Sequence, residues 1–187
     1  MEHAKASRIL NYTVSYLSLK KKNIKFFEDA PNNNNISFLK AIAPNPSYFL
    51  YLYKEVGRKY EWTDWLRSER EILESFLSDE NVVLYSLILK GEPKGFFVLD
   101  YRQLSLCDLA YFGLFDDVTG RGLGKVMMNE VFEIVIKQGN VETLTVNTNT
   151  LDHKSALPFY QKAGFDIYKK EEHKRSAWSE SEKKEYL

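Results

Sequence analysis

The chain has 187 residues with 26 Lys plus Arg against 26 Asp plus Glu, a balance that removes the electrostatic case for nucleic acid or an anionic membrane as main partner. Hydrophobic residues make up 44%, with 12 Tyr and 12 Phe, which excludes a disordered chain and supports one domain over residues 1–187 with a sizeable core. The single cysteine, Cys107, excludes an internal disulfide and a cysteine metal cluster, and its apolar surroundings read as a buried thiol in a reducing, cytoplasmic setting.

The first residues lack the apolar core of a signal peptide, and no run approaches the roughly 18 apolar residues of a membrane span. Residues 8–19 are rich in β-formers and predict a first strand, which Ile24 to Phe27 extend as a hairpin. Pro31, the asparagines 32–35 and Pro44-Asn45-Pro46 bracket a loop-rich stretch, 31–46, around a short element at 36–43. A helix capped by Ser47 runs from Tyr48 to Val56 and stops at Gly57. Its aromatic density reads either as plain packing or as the wall of a substrate pocket. Residues 58–65 mix charge with Trp62 and Trp65 and suit a loop over a pocket; Ser68 with Glu71 is a capping-box pattern that opens a helix through Leu77. Tyr53, Arg58, Trp62 and Trp65 are the candidate acceptor-binding residues.

From Asn81 the texture becomes strand. Residues 82–90, a turn at 91–93 and residues 94–101 form a hairpin, and 104–115 make a third strand, apolar at both parities except for Asp108, as expected for a strand covered on both faces. A helix (126–137), a strand (141–147), a helix (152–163) and a last short strand (165 to about 170) follow. The fold class is therefore α/β, in α+β layers: a mixed, mostly antiparallel central sheet flanked by helices. The charged tail, 171–187, holds Trp178 and Tyr186 and either docks as a helix begun at Ser179 with Glu182 or hangs free; the short last strand leaves a sheet edge for the tail or a second copy of the chain, a homodimer, to complete.

The stretch that carries chemistry is Thr119-Gly120-Arg121-Gly122-Leu123-Gly124-Lys125, where a glycine-rich turn meets a helix start and a row of backbone N–H groups can hold a phosphate. Neither G-x-x-x-x-G-K-[ST] nor G-x-G-x-x-G fits this spacing, so the nucleotide-hydrolase and dinucleotide loops are set aside, leaving a plain turn as the bland reading. The segment resembles the [QR]-x-x-G-x-[GA] loop of the GNAT superfamily of acyl-CoA-dependent N-acyltransferases, with Gly122 and Gly124 in the last positions and Thr119 in place of the leading Gln or Arg. Residues 156–165, with Ala156, Tyr160, Gly164 and Phe165, are similar to that family's A-x-x-x-Y-x-x-x-G-F, while His153 stands where the family usually has Asn. Two segments in the right order are more specific than either alone. The whole looks like a bacterial subset of the superfamily with an unassigned acceptor.

The resemblance implies an N-acetyltransferase moving an acetyl group from acetyl-CoA, as co-substrate, to a primary amine of a small molecule or peptide by direct transfer in a ternary complex; the alternative is a non-catalytic coenzyme-binding module of the same fold. It further implies that Thr119, Gly120, Arg121, Gly122, Leu123, Gly124 and Lys125 hold the pyrophosphate. By the same resemblance Leu114, Phe115 and Asn149 meet the pantetheine arm, the Leu114 N–H serves as oxyanion donor, and Tyr160 faces the sulfur and protonates the thiolate. Asp108 falls where several members carry a catalytic carboxylate; it is either the base, with a pKa raised by burial, or a structural Asp paired with Arg102 or Arg58. Cys107 lacks a His at a nucleophile's spacing, and His3, His153 and His173 lack a metal-ligand spacing, so neither a covalent route nor a metal is expected.

Overall fold

The computed structural model describes residues 8–179 and Glu182. Its centre is a seven-stranded sheet: β1 (Ile9–Lys20), β2 (Ile36–Lys40), β3 (Val82–Leu89), β4 (Glu92–Asp100), β5 (Leu106–Leu114), β6 (Thr143–Asn149) and β7 (Asp166–Ser176), in the order β2-β3-β4-β5-β6-β1-β7. Only β5 and β6 run parallel, joined by the crossover helix α4 (Leu123–Lys137); all other neighbours are antiparallel. The other helices are α1 (Pro46–Gly57), α2 (Asp64–Arg67), α3 (Arg70–Ser78) and α5 (Ala156–Lys162). β5 is thus the fourth of seven strands, and the apolar residues at both of its parities are explained by α1 on one face and α4 and α5 on the other.

Several expected boundaries move for local reasons. Asn45, not Ser47, caps α1: its side chain accepts from the Ser47 N–H at 2.8 Å, with Pro46 pre-set at the first turn. The Ser68 hydroxyl donates back to the Asp64 carbonyl at 2.8 Å and closes α2, a helix within the expected loop, instead of capping α3. Residues 24–27 form no hairpin strand; both main-chain groups of Phe27 are held by the Asn129 side chain of α4, at 2.8 and 3.0 Å. The turn after β3 is Lys90-Gly91, and α5 starts at Ala156 because residues 149–155 are spent on a tight Asx turn.

The last strand is not short. β7 pairs with β1 from Ile9↔Ser176 to Ser18↔Asp166, so residues 171–176 belong to the sheet instead of a free tail. Beyond it Trp178 is buried, its N–H donating to Glu61, with the Arg67 guanidinium 5.1 Å from its ring centre. Ser179 and Glu182 make both bonds of a capping box, Glu182 N–H to Ser179 Oγ at 3.2 Å and Ser179 N–H to Glu182 Oε2 at 2.8 Å. Tyr186 lies outside the described residues.

Candidate active site

The sheet opens at its middle. β5 pairs with β6 only from Leu106↔Thr143 to Asp108↔Thr145; beyond these pairs β6 stays on β1 out to Val14↔Asn149, while β5 stays on β4 out to Gly95↔Leu114. The two strands therefore part after Asp108. Phe115 N–H donates to the Lys94 carbonyl, so strand alternation turns the N–H groups of Leu114 and Phe112 the other way, into the gap. Gly113 lets α1 approach: a Cβ there would sit 2.2 Å from Val56 Cγ1.

One extra residue in β5 aims the carboxylate. Opposite β4 the register runs Val98↔Tyr111 and then Leu99↔Leu109, leaving Ala110 bulged. The bulge brings Asp108 and Tyr111 to the same cleft, while Phe112 faces α5 and touches Phe159 and Tyr160. Asp108 Oδ1 accepts from the Thr145 hydroxyl at 2.6 Å across the last β5–β6 pair. Burial raises its pKa above the usual carboxylate value and the Asp100 charge adds to this, with the Thr145 hydrogen bond opposing. Neither suggested structural partner holds it: Arg102 is bound to Asp100, and Arg58 is an exposed residue at the end of α1.

On that side lies a cleft of about 680 Å³ walled by Trp65, Ile72, Phe76, Ala110 and Tyr111, with Asp108 and Asn147 of the sheet at its lining. Trp65 Nε1 donates to the Tyr111 hydroxyl at 2.5 Å, fixing both rings. Trp62 packs on Tyr53 and Tyr111, and its Nε1 donates to Asp152 Oδ1 at 3.0 Å. Tyr53 departs from the expectation: at 2% exposed it is core, stacked on Phe49 and holding the tryptophan loop from beneath. Arg58 likewise does not line this cleft.

Asp152 is the residue the sequence reading missed. Besides Trp62 it takes the Thr148 hydroxyl at 2.8 Å and the Asn149 N–H at 2.9 Å, so one carboxylate ties the tryptophan loop to the β6–α5 junction. The run Asn149-Thr150-Leu151-Asp152 signals the turn, but nothing local signals Trp62, 90 positions away. Asn149 Oδ1 is itself taken by the Leu151 N–H at 2.8 Å, which leaves its NH2 group for any ligand. His153 is exposed, its Nδ1 accepting from the Ser155 N–H at 3.2 Å.

Tyr160 stands on α5 among Phe112, Phe159 and Phe165, at 6% exposed. Burial raises the pKa of its phenol, and the charges of Asp152 and Asp108 raise it further, so the hydroxyl senses both carboxylates flanking the gap. The glycine turn lies where β5 hands over to α4. Gly120 has φ +75° and Gly122 φ +78°, the left-handed region where a side chain is strained, and Gly122 is the N-cap of α4. Among the described residues no main-chain acceptor meets the N–H groups of Gly120 to Gly124, and Gly120 and Arg121 are exposed. The acids that precede the turn are neutralised, Asp116 by Lys59 at 2.5 Å and Asp117 by Lys94 at 2.8 Å, so they do not oppose an anion there. Thr119 Oγ1 and the Thr119 N–H both donate to the Asp116 carbonyl, at 2.9 and 3.3 Å, so neither of its donors faces a ligand and the expected pyrophosphate contact of Thr119 is not supported. Lys125 is paired with Asp29 at 2.5 Å, and Pro31 lies against Gly122, so residues 29–31 border the turn.

The buried Cys107 thiol is pushed up to about 12 by desolvation, consistent with an inert group. Among the described residues no three His, Cys, Asp or Glu side chains gather as a metal site, and no helix is long and apolar enough to cross a membrane.

The profile of the acetyltransferase (GNAT) family matches residues 45–165. No curated protein matches the sequence significantly. Among solved structures, a functionally unknown conserved protein of Staphylococcus epidermidis ATCC 12228 superposes with TM-score 0.66 at 11% identity, over 91% of this chain and 64% of that one. The tandem GNAT protein of the clavulanic acid biosynthesis pathway gives TM-score 0.64 at 12% identity, over 89% and 54%. A GNAT family acetyltransferase from Elizabethkingia anophelis, solved with acetyl-CoA bound, gives TM-score 0.54 at 19% identity, over 73% and 80%. The chain thus spans less than two thirds of the first two, and identities this low bear on fold alone. The profile covers more than half of the sequence and includes both the glycine turn and Tyr160, and on that match the chain belongs to the GNAT family of acetyltransferases.

Proposed function

We propose that this chain is an acetyl-CoA-dependent N-acetyltransferase that passes the acetyl group directly to a primary amine of a small molecule or peptide, with both substrates bound together, in the cytoplasm. The observation that carries the reading is the conjunction of an open, left-handed glycine turn at a helix start with a gap between β5 and β6 that the N–H groups of Leu114 and Phe112 face, with the Asp108 carboxylate at its closed end and the Tyr160 ring packed on Phe112 beside it. The residues fit the coenzyme: the amides of residues 120–124 suit a diphosphate, with charge-assisted bonds of about 1.5–3 kcal/mol each. Leu114 and the Asn149 NH2 group suit the arm, whereas Phe115 does not: its N–H is taken by the Lys94 carbonyl, its own carbonyl accepts from the Val118 N–H, and its ring is buried. When bound, acetyl-CoA supplies an activated thioester.

The chain's own groups do the rest. An ε-amine of pKa near 10.4 is neutral in roughly one molecule in 2,500 at pH 7. Asp108, raised by burial, takes the amine proton directly or through a water. The Leu114 N–H holds the carbonyl oxygen as charge gathers on it, a contribution of about 3 kcal/mol for such a donor. The new nitrogen–carbon bond forms as the carbon–sulfur bond breaks, and Tyr160, which keeps its proton through neutral pH, donates to the departing sulfur. Because a thiol titrates near 8.5, below the phenol, this donation eases departure without being indispensable.

Isothermal titration with acetyl-CoA tests the reading: one coenzyme binds per chain, more weakly as salt rises, and no heat of binding would overturn it.

A further inference from the structure

The cleft beside Asp108 carries a charge pattern that selects the class of amine. Its lining holds three carboxylates, Glu71, Asp100 and Asp108, and one cation, Arg102. That cation is already engaged: Arg102 Nε lies 3.0 and 3.1 Å from the two Asp100 oxygens and its Nη2 2.6 Å from one of them, with the guanidinium 5.2 Å from the Phe76 ring centre. Asp108 has Oδ1 committed to Thr145 and turns its other oxygen to no partner among the described residues. The walls are rings, and the polar tips of Trp65 and Tyr111 are spent on each other.

Resting on the reading of this cleft as the acceptor site, we infer that the acceptor is a primary amine on an aromatic or apolar body with no carboxylate on the amine-bearing carbon, an aralkylamine in class and not an amino acid. Its ammonium finds a carboxylate at Asp108 and its body covers the ring walls. A substrate carboxylate at the same depth would meet Asp108 with the one cation of the lining already spent on Asp100, and like charges a few ångströms apart repel even beside solvent. Specificity of this kind comes from what the site refuses.

The test compares tyramine with L-tyrosine and phenethylamine with L-phenylalanine by thiol release at saturating acetyl-CoA, with titration establishing coenzyme binding in each protein. The wild type favours the decarboxylated member in kcat/KM by at least about tenfold, the scale expected of one uncompensated like-charge contact. Asp100→Asn releases the Arg102 guanidinium and narrows that ratio severalfold, whereas Arg102→Gln keeps it or widens it; melting curves establish that both variants fold. Equal or better use of the amino acids by the wild type, or a wider ratio in Asp100→Asn, would overturn the inference. Turnover of neither member of a pair with coenzyme bound would overturn the inference alone, and absence of coenzyme binding would overturn the functional reading and the inference with it.

Discussion

Substituting alanine at Gly122, and separately at Gly120, tests the glycine turn because the two positions share a backbone strain but not a neighbour. Both have φ near +75°, so a Cβ at either costs about 1–2 kcal/mol. At Gly120 the new methyl meets nothing within 4 Å, whereas at Gly122 it lies 3.0 and 3.2 Å from the Pro31 ring, a tightness worth at least about 1 kcal/mol more. At about 2–4 °C per kcal/mol for a chain of this size, Gly120→Ala lowers Tm by about 2–8 °C and Gly122→Ala by at least about 2–4 °C beyond the strain they share. Relief of the strain at the N-cap of α4 tilts the amides that face the anion, and losing one charge-assisted bond of about 1.5–3 kcal/mol weakens acetyl-CoA about tenfold to a hundredfold. Thermal melts and isothermal titration read the two effects separately. A folded Gly122→Ala protein that binds acetyl-CoA within twofold of the wild type would refute the assignment of this turn as the diphosphate site.

Tyr160→Phe removes a donor to the departing sulfur and lowers kcat by about tenfold to a hundredfold while leaving coenzyme affinity unchanged, read by thiol release and titration. Asp108→Asn separates function from stability: the folded pKa of Asp108 lies above its ordinary value, so its favourable contribution is present below the unfolded pKa and lost as pH rises through the folded one. The variant, which keeps the oxygen that accepts from Thr145, is therefore more thermostable than the wild type at pH 7 yet slower, and it loses the acid limb of the pH–rate profile. Asp29→Asn frees Lys125 and tightens acetyl-CoA, the gain shrinking as salt rises; unchanged affinity in titration at low salt would mean that Lys125 does not reach the coenzyme. Trp178→Ala empties a buried site against α2 and costs about 3–5 kcal/mol, seen as a Tm lowered by about 6–20 °C.

What was legible in the sequence had a local cause. The glycine turn, the aromatic-flanked Tyr160 segment, the β3–β4 hairpin and the doubly covered β5 each declare themselves within about ten residues, through turn chemistry and apolar pattern. The capping box at Ser179 and Glu182 did so as well. The caps of α1 and α3 were misplaced because Asn45 and Ser47, or Glu69 and Ser68, compete for the same turn and only the tertiary path decides. The Ala110 bulge was hidden because a strand apolar at both parities gives no alternation to break. The Trp62–Asp152 link, the Asp29–Lys125 pair and the clamp of Arg175 on Thr63 and Asp64 were beyond reach, since each joins segments about a hundred residues apart. Tyr53 reads as pocket wall and is core because α1 turns it inward onto Phe49 while Tyr51 stays exposed, a choice fixed by where Gly113 lets the helix sit.

The most direct test of acetyl transfer at the β5–β6 gap is release of coenzyme A thiol from acetyl-CoA on adding a primary amine, measured in parallel for the wild type, Tyr160→Phe and Asp108→Asn. Transfer at this gap requires amine-dependent release by the wild type and slower release by both variants at unchanged acetyl-CoA affinity. Release that is absent with every amine although acetyl-CoA binds, or that proceeds equally in all three proteins, would contradict it.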